Sequence, residues 1–129
     1  NPASVAPSTV LTSWVPFANF HSIAALIQTG VLGASATLDA KLRQATDASG
    51  TGAKDVTGKA ITQIVKASGD NVQAFIEMRG DDLDGNNGFC FVALSLTVGT
   101  AASLVSAVLL GANPRYFPPT NAATVVQVV

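Results

Sequence analysis

Residues 89–112 read FCFVALSLTVGTAASLVSAVLLGA and follow the turn-rich run DDLDGNNG at 81–88. These 24 residues carry no charge, and two kinds of structure satisfy that. One is a membrane-crossing helix, which needs about 20 apolar residues. The other is a pair of buried strands folded back on each other. The residue types favour strands: Phe89, Phe91, Val92, Thr97, Val98, Val105 and Val108 are aromatic or β-branched, which suits a pleated surface. Gly99-Thr100-Ala101-Ala102-Ser103 supplies small, turn-forming residues in mid-run, where a hairpin would reverse. Ser95 and Thr97 fall on one face of the first half, with Cys90, Val92, Leu94, Leu96 and Val98 on the other, a period of two. No Lys or Arg cluster flanks the run to orient it in a bilayer. A hairpin is expected, and no membrane span.

Upstream, the same period recurs. In residues 72–79 (VQAFIEMR), Val72, Ala74, Ile76 and Met78 point inward, and Gln73, Phe75, Glu77 and Arg79 outward. Residues 35–46 place Ala36, Leu38, Ala40, Leu42 and Gln44 on one side, with Thr37, Asp39, Lys41, Arg43 and Ala45 on a wet side. Residues 20–29 (FHSIAALIQT) alternate as well, although Ala and Leu also permit a short helix. Residues 59–66 (KAITQIVK) carry the same ambiguity, and the Gly- and Asp-rich residues 47–58 read as a long loop. Short strands with turns between them predict an all-β fold, an antiparallel sandwich or jelly-roll-like barrel.

The ends differ from this middle. Residues 1–13 hold Pro2 and Pro7 among small polar residues and read as an extended N-terminal arm. Residues 14–117 form the single β-domain, and residues 118–129 a C-terminal tail. Pro114, Pro118 and Pro119 end the sheet, since proline cannot sit in a central strand. TNAATVVQVV, residues 120–129, has strong β-propensity; it pairs with its own sheet or adds a strand to a neighbour.

A chain of 129 residues with a net charge of −1 offers no electrostatic footprint for nucleic acid. Charged residues are 12% of the chain, against about 25% in a typical soluble domain. Surfaces that spare charge in this way are often covered by partners. The single cysteine, Cys90, excludes an internal disulfide and a multi-cysteine zinc site, and the strand pattern buries it beside Val92 and Leu94. No basic segment followed by an apolar core marks the start of the sequence as a signal peptide.

Chemistry has few footholds. His21 is the only histidine, whereas nucleophilic catalysis needs nucleophile, base and orienter together. No GxSxG elbow is present, and the Gly50–Asp55 run lacks phosphate-loop spacing. No enzyme activity, no cofactor and no catalytic residue is expected. Asp82, Asp84 and Asn86 have the alternating oxygen spacing that opens a calcium loop. However, the loop glycine falls one place late at Gly88, and Ala93 occupies the position of the bidentate carboxylate. A loop in which Asn and Asp hold their own backbone explains the same residues.

Residues 45–64 (ATDASGTGAKDVTGKAITQI) and 79–116 (RGDDLDGNNGFCFVALSLTVGTAASLVSAVLLGANPRY) together resemble small structural proteins of tailed bacteriophages and prophages. The Gly-Thr-Gly-Ala-Lys loop, the Leu-Thr-Val-Gly-Thr-Ala strand and the closing Pro-Arg-Tyr carry the resemblance. It implies a virion component, a head-decoration (cement) protein that binds the outside of an icosahedral head and bridges its subunits. The partners would be the major capsid protein and further copies of the chain, as a homotrimer on the symmetry axes. The chain would be made in the host cytoplasm and reside on the outer surface of the head. Alternatives are a head–tail connector or tail protein, and a carbohydrate-binding β-sandwich module. The expected contact residues are Trp14 and Phe17 as aromatic anchors, Arg115, Tyr116 and Phe117 as a second patch, and Val125, Val126 and Val128 in the strand-adding tail. Core packing is the competing role for Trp14 and Phe17.

Overall fold

The computed structural model describes residues 3–116, 121 and 125–127. Ten strands follow one another: Ala3–Val5 (β1), Ser8–Leu11 (β2), Val15–Pro16 (β3), Phe20–Thr29 (β4), Thr37–Ala45 (β5), Lys54–Ala60 (β6), Ile64–Val65 (β7), Gln73–Arg79 (β8), Phe91–Gly99 (β9) and Ser103–Pro114 (β10). Period two governs which side chains go inside. β4 buries Ile23, Ala25, Ile27 and Thr29, β5 buries Leu38, Ala40, Leu42 and Gln44, and β8 buries Ile76 and Met78. The strand reading of residues 20–29 therefore holds over the helical one, because alternation places a complete apolar face on the core.

The strands form two antiparallel sheets ordered β1-β10-β4-β8 and β2-β9-β5-β6, with β3 extending the β9 edge and β7 extending along β5. Successive pairings nest: β1 with β10, β2 with β9, β4 with β8, and β5 with β6. A long hairpin rolled onto itself in this manner is a jelly roll, two Greek keys closing on one core. The core lies between the sheets, built from Ile23, Ile27 and Met78 on one side and Leu38, Leu42, Val92 and Leu94 on the other.

Residues 89–112 do not form the expected hairpin. β9 pairs with β2, β3 and β5, whereas β10 pairs with β1 and β4. The chain passes from one sheet to the other through residues 99–103. Small residues serve such a corner as well as they serve a hairpin, so composition could not separate the two. Thr100 takes φ +69°, and the Ala101 N–H bonds back to the Gly99 carbonyl at 2.8 Å. Buried Ser103 closes the corner: its Oγ accepts from the Gly33 N–H at 3.1 Å and donates to the Ala101 carbonyl at 3.1 Å.

Other expectations need adjustment. The N-terminal arm is extended, yet its two strands pair with both sheets, crossing between them at Ala6-Pro7. The loop expected at residues 47–58 gives up its second half to β6, and residues 59–66 break into the end of β6 and the short β7. Cys90 is exposed, because β9 begins only at Phe91 and the preceding residue belongs to the incoming loop. Phe17 is 4% exposed and packs in the core, so it is no surface anchor. Among the described residues no helix is long and apolar enough to cross a membrane.

Leu94 has no exposed surface and sits on a strand paired along both edges. Leu94→Ala should cost about 2–5 kcal/mol, lowering the urea midpoint without changing the slope of the transition. Val10→Ala, at an exposed position on edge strand β2, should stay within about 0.5 kcal/mol of the parent.

Candidate interaction surface

The two outer faces of the sandwich are unlike. β5 and β6 carry Asp39, Lys41, Arg43, Lys54, Asp55 and Lys59. Several of these are paired: Lys41 Nζ lies 2.7 Å from Asp55, Arg43 Nε lies 3.3 Å from Asp55, and Gln63 donates to Asp39 at 2.8 Å. A shallow depression on this face, lined by Asp39, Lys41, Ile61, Ser95 and Thr97, is walled by those paired side chains.

The opposite sheet carries only Glu77 and Arg79 as charges in its four strands. Its registers place Val108 beside Leu26 and Leu26 beside Phe75, an apolar row running across β10, β4 and β8. The next row is Leu110, Ala24 and Glu77. Phe75 is 53% exposed, Val108 48% and Leu110 47%, and Leu104 extends the patch along β10. An exposed apolar row is the kind of surface that protein partners cover. One signal for it was legible, since alternation had already sent Phe75 outward. The contribution of β10 was hidden, because both of its faces are apolar and the strand read as buried throughout.

The expected site residues scatter. Trp14 is half-buried, and its indole lies on Gly50, where an added Cβ would come within 2.5 Å of Nε1. Gly50 also holds φ +84°, so Trp14 clamps the tight turn at 47–52. Arg115 and Tyr116 are both exposed, Tyr116 by 72%. The Arg115 N–H donates to the Asn19 carbonyl at 2.9 Å and its Nε to the Phe20 carbonyl at 3.3 Å. Those bonds tie this patch to the start of β4. Phe117 and Val128 lie outside the described residues. Val125 and Val126 are exposed, by 48% and 95%. His21 is exposed near the start of β4.

The Asp82–Asn86 loop spans from one sheet to the other and is occupied by its own contacts. Asp84 pairs with Lys54 and accepts from Asn87 Nδ2 at 2.9 Å, and the Asp84 N–H donates to buried Gln44 at 2.9 Å. Asp82 pairs with Lys59 at 2.9 Å and accepts from the Arg79 N–H at 2.7 Å. Lys54 Nζ also lies 4.2 Å from the centre of the Phe89 ring. Among the described residues no three acidic, His or Cys side chains converge as metal ligands. The loop uses its carboxylates as sheet-to-sheet ties.

No family model matches the chain, and no curated protein matches it. Among solved structures it is similar to a chain of the empty virus-like particle of cowpea mosaic virus, with a TM-score of 0.37 and 9% identity. That similarity covers 92% of this chain and 65% of the other, so the chain spans less than two thirds of the length of the one it matches. At that score the likeness carries no inference about what the chain does.

Four carboxyls are held below the usual value. The Lys54 ammonium and Asn87 lower Asp84, Thr51 lowers Asp47, and Lys66 with the Leu32 N–H lowers Asp70. At Asp82 burial pushes upward, but the Arg79 N–H and Lys59 outweigh it. A depressed folded-state pKa adds stability above the unfolded value and loses it as pH falls through the folded one. The melting temperature should hold from neutrality down to the ordinary carboxylate value of 3.8 and decline below it. Lys54→Ala should flatten part of that acid limb, as read by thermal scans across pH 2–6, because Asp84 then titrates nearer its unfolded value.

Proposed function

We propose that the protein is a structural component of a virion, a head-decoration (cement) protein that binds the outside of an icosahedral phage head and bridges its subunits. It works by binding rather than by catalysis. The observation that carries this reading is the exposed apolar row Val108–Leu26–Phe75 on a sheet face almost free of charge. A jelly roll presents such a face rigidly, since the strands behind it are locked to the core. The resemblance of residues 45–64 and 79–116 to small structural proteins of tailed phages supports the same setting. In this role the apolar face lies on the major capsid protein, with Arg79, Arg115 and Tyr116 at its rim. The charged face of β5 and β6 stays in water. Further copies assemble around a symmetry axis, a trimer being the simplest closed ring. Shell expansion must then also break these contacts.

The copy number per purified particle, relative to the shell protein, tests this directly. Hundreds of copies in simple ratio to the shell protein are expected. About six or twelve copies would instead assign the chain to a head–tail connector or tail, by ring symmetry. Complete absence from particles would overturn the virion reading. Phe75→Ser combined with Val108→Glu should lower occupancy at limiting concentration by about tenfold or more, while the exposed positions leave the fold intact.

A further inference from the structure

Strand registers arrange the exposed face of the β10-β4-β8 sheet in rows. The central row is Val108, Leu26 and Phe75. On one side of it lie Ser106, Gln28 and Gln73, and on the other Leu110, Ala24 and Glu77. Arg79 stands one row beyond Glu77, beside Ser22. Gln73 and Glu77 therefore sit at equal distances from Phe75 along β8, one an amide and the other a carboxylate, and both are exposed. A face that pairs with itself needs such a match about its apolar row.

Sheets that pack face to face in aligned fashion keep their strand directions within about 30° of each other. Two copies can thus superpose their central rows about a two-fold axis running either along the strands or along the row. With the axis along the strands, β8 of each copy lies on β10 of the other. Glu77 then meets Leu110 of the second copy and Arg79 meets its Ala112. Both charges leave water without a partner, which is strongly unfavourable. With the axis along the row, β8 lies on β8 and β10 on β10. Val108, Leu26 and Phe75 each meet their own counterpart, Leu110 meets Ser106, and the Glu77 carboxylate accepts from the Gln73 amide of the second copy. Arg79 falls past the end of the opposing β8, in water. Only this second arrangement leaves every charge hydrogen-bonded or solvated.

We propose that in the free protein this face is covered by the same face of a second copy, forming an isologous dimer whose two-fold axis runs along the Val108–Leu26–Phe75 row. Apolar burial in the central row supplies the affinity, and the Glu77–Gln73 bonds fix the direction. Shell binding then exchanges one apolar partner for another. The dimer goes beyond the virion reading and rests on the face alone, not on the shell.

Sedimentation velocity of the full chain from about 1 to 500 μM, with reductant present because Cys90 is exposed, tests the dimer without any shell. A monomer–dimer equilibrium is expected, with nothing larger, since an isologous contact closes at two copies. Gln73→Lys places an ammonium against each Glu77 and should tighten the dimer about threefold or more, whereas Gln73→Glu should loosen it by as much. In a Cys90→Ser background, a bismaleimide spanning about 10 Å, the separation of packed sheets, should join Val108→Cys to itself. Joining of Val108→Cys only to Phe75→Cys, in a mixture of the two, would overturn the arrangement, as would equal association of the two Gln73 variants. A monomer at every concentration, or an open ladder of larger species, would overturn the dimer. Copy number on particles is read separately, so either reading can fail alone.

Discussion

The molecule depends on the chain leaving one sheet for the other at residues 99–103. Were β9 and β10 to pair with each other, the two strands would complete one sheet and leave the second without its members. The corner is enforced by close packing. An added Cβ at Gly99 would come within 2.5 Å of Thr37 Oγ1, and one at Gly33 within 2.7 Å of the Ala101 Cβ. The segment from Gly33 into β5 thus fits directly against the turn that redirects β9. Ser103 is buried there with its hydroxyl satisfied, which removes the penalty of carrying a polar side chain into the interior.

Once that corner is set, the remaining pairings follow by nesting. The β5–β9 ladder runs in unbroken register from Thr37 opposite Gly99 to Ala45 opposite Phe91. The β4–β10 ladder mirrors it on the other sheet. Between them, the inward side chains of β5 and β9 meet those of β4 and β8, so neither sheet can slip by one residue without turning its apolar face to water. Polar side chains hold the far end. Thr29 donates to the Gly69 carbonyl at 2.6 Å, and Asp70 accepts from the Leu32 N–H at 2.8 Å. Those bonds anchor the 66–72 turn where β8 enters.

Period two made β4, β5 and β8 legible, because each has one apolar and one mixed face: Leu38, Ala40 and Leu42 alternate with Asp39, Lys41 and Arg43. It also set the inner face of β9, where Val92, Leu94 and Val98 are buried, but it did not give the exposure of that strand's outer face or of β10, whose two faces are both apolar. Ala93 and Ser95 on the outer face of β9 are nevertheless buried, opposite Arg43 and Lys41, whose long side chains can cover them. Val108 and Leu110 on β10 are instead open to water. Local composition cannot separate a residue covered by its own chain from one left for a partner. Cys90 was missed through a boundary, since a one-residue difference in where a strand begins decides exposure at its end, and of the two roles open to Phe17 its burial selects core packing. The roles of Trp14 and of the Asp82–Asn86 loop depended on partners distant in sequence, Gly50, Lys54 and Lys59, which no spacing within the motif reveals.

The scarcity of charge acquires a physical meaning from this distribution. Charge spread evenly at 12% would leave every face weakly protected. Concentrated on β5, β6 and the loops, it gives one face and one edge of the sandwich an ordinary hydrated surface. The other sheet keeps Glu77 and Arg79 on β8 and none on β1, β4 or β10. The apolar row therefore runs onto β10, where Val108 and Leu110 are exposed. The exposed apolar face is the side of the molecule on which burial of apolar surface would lower the free energy most.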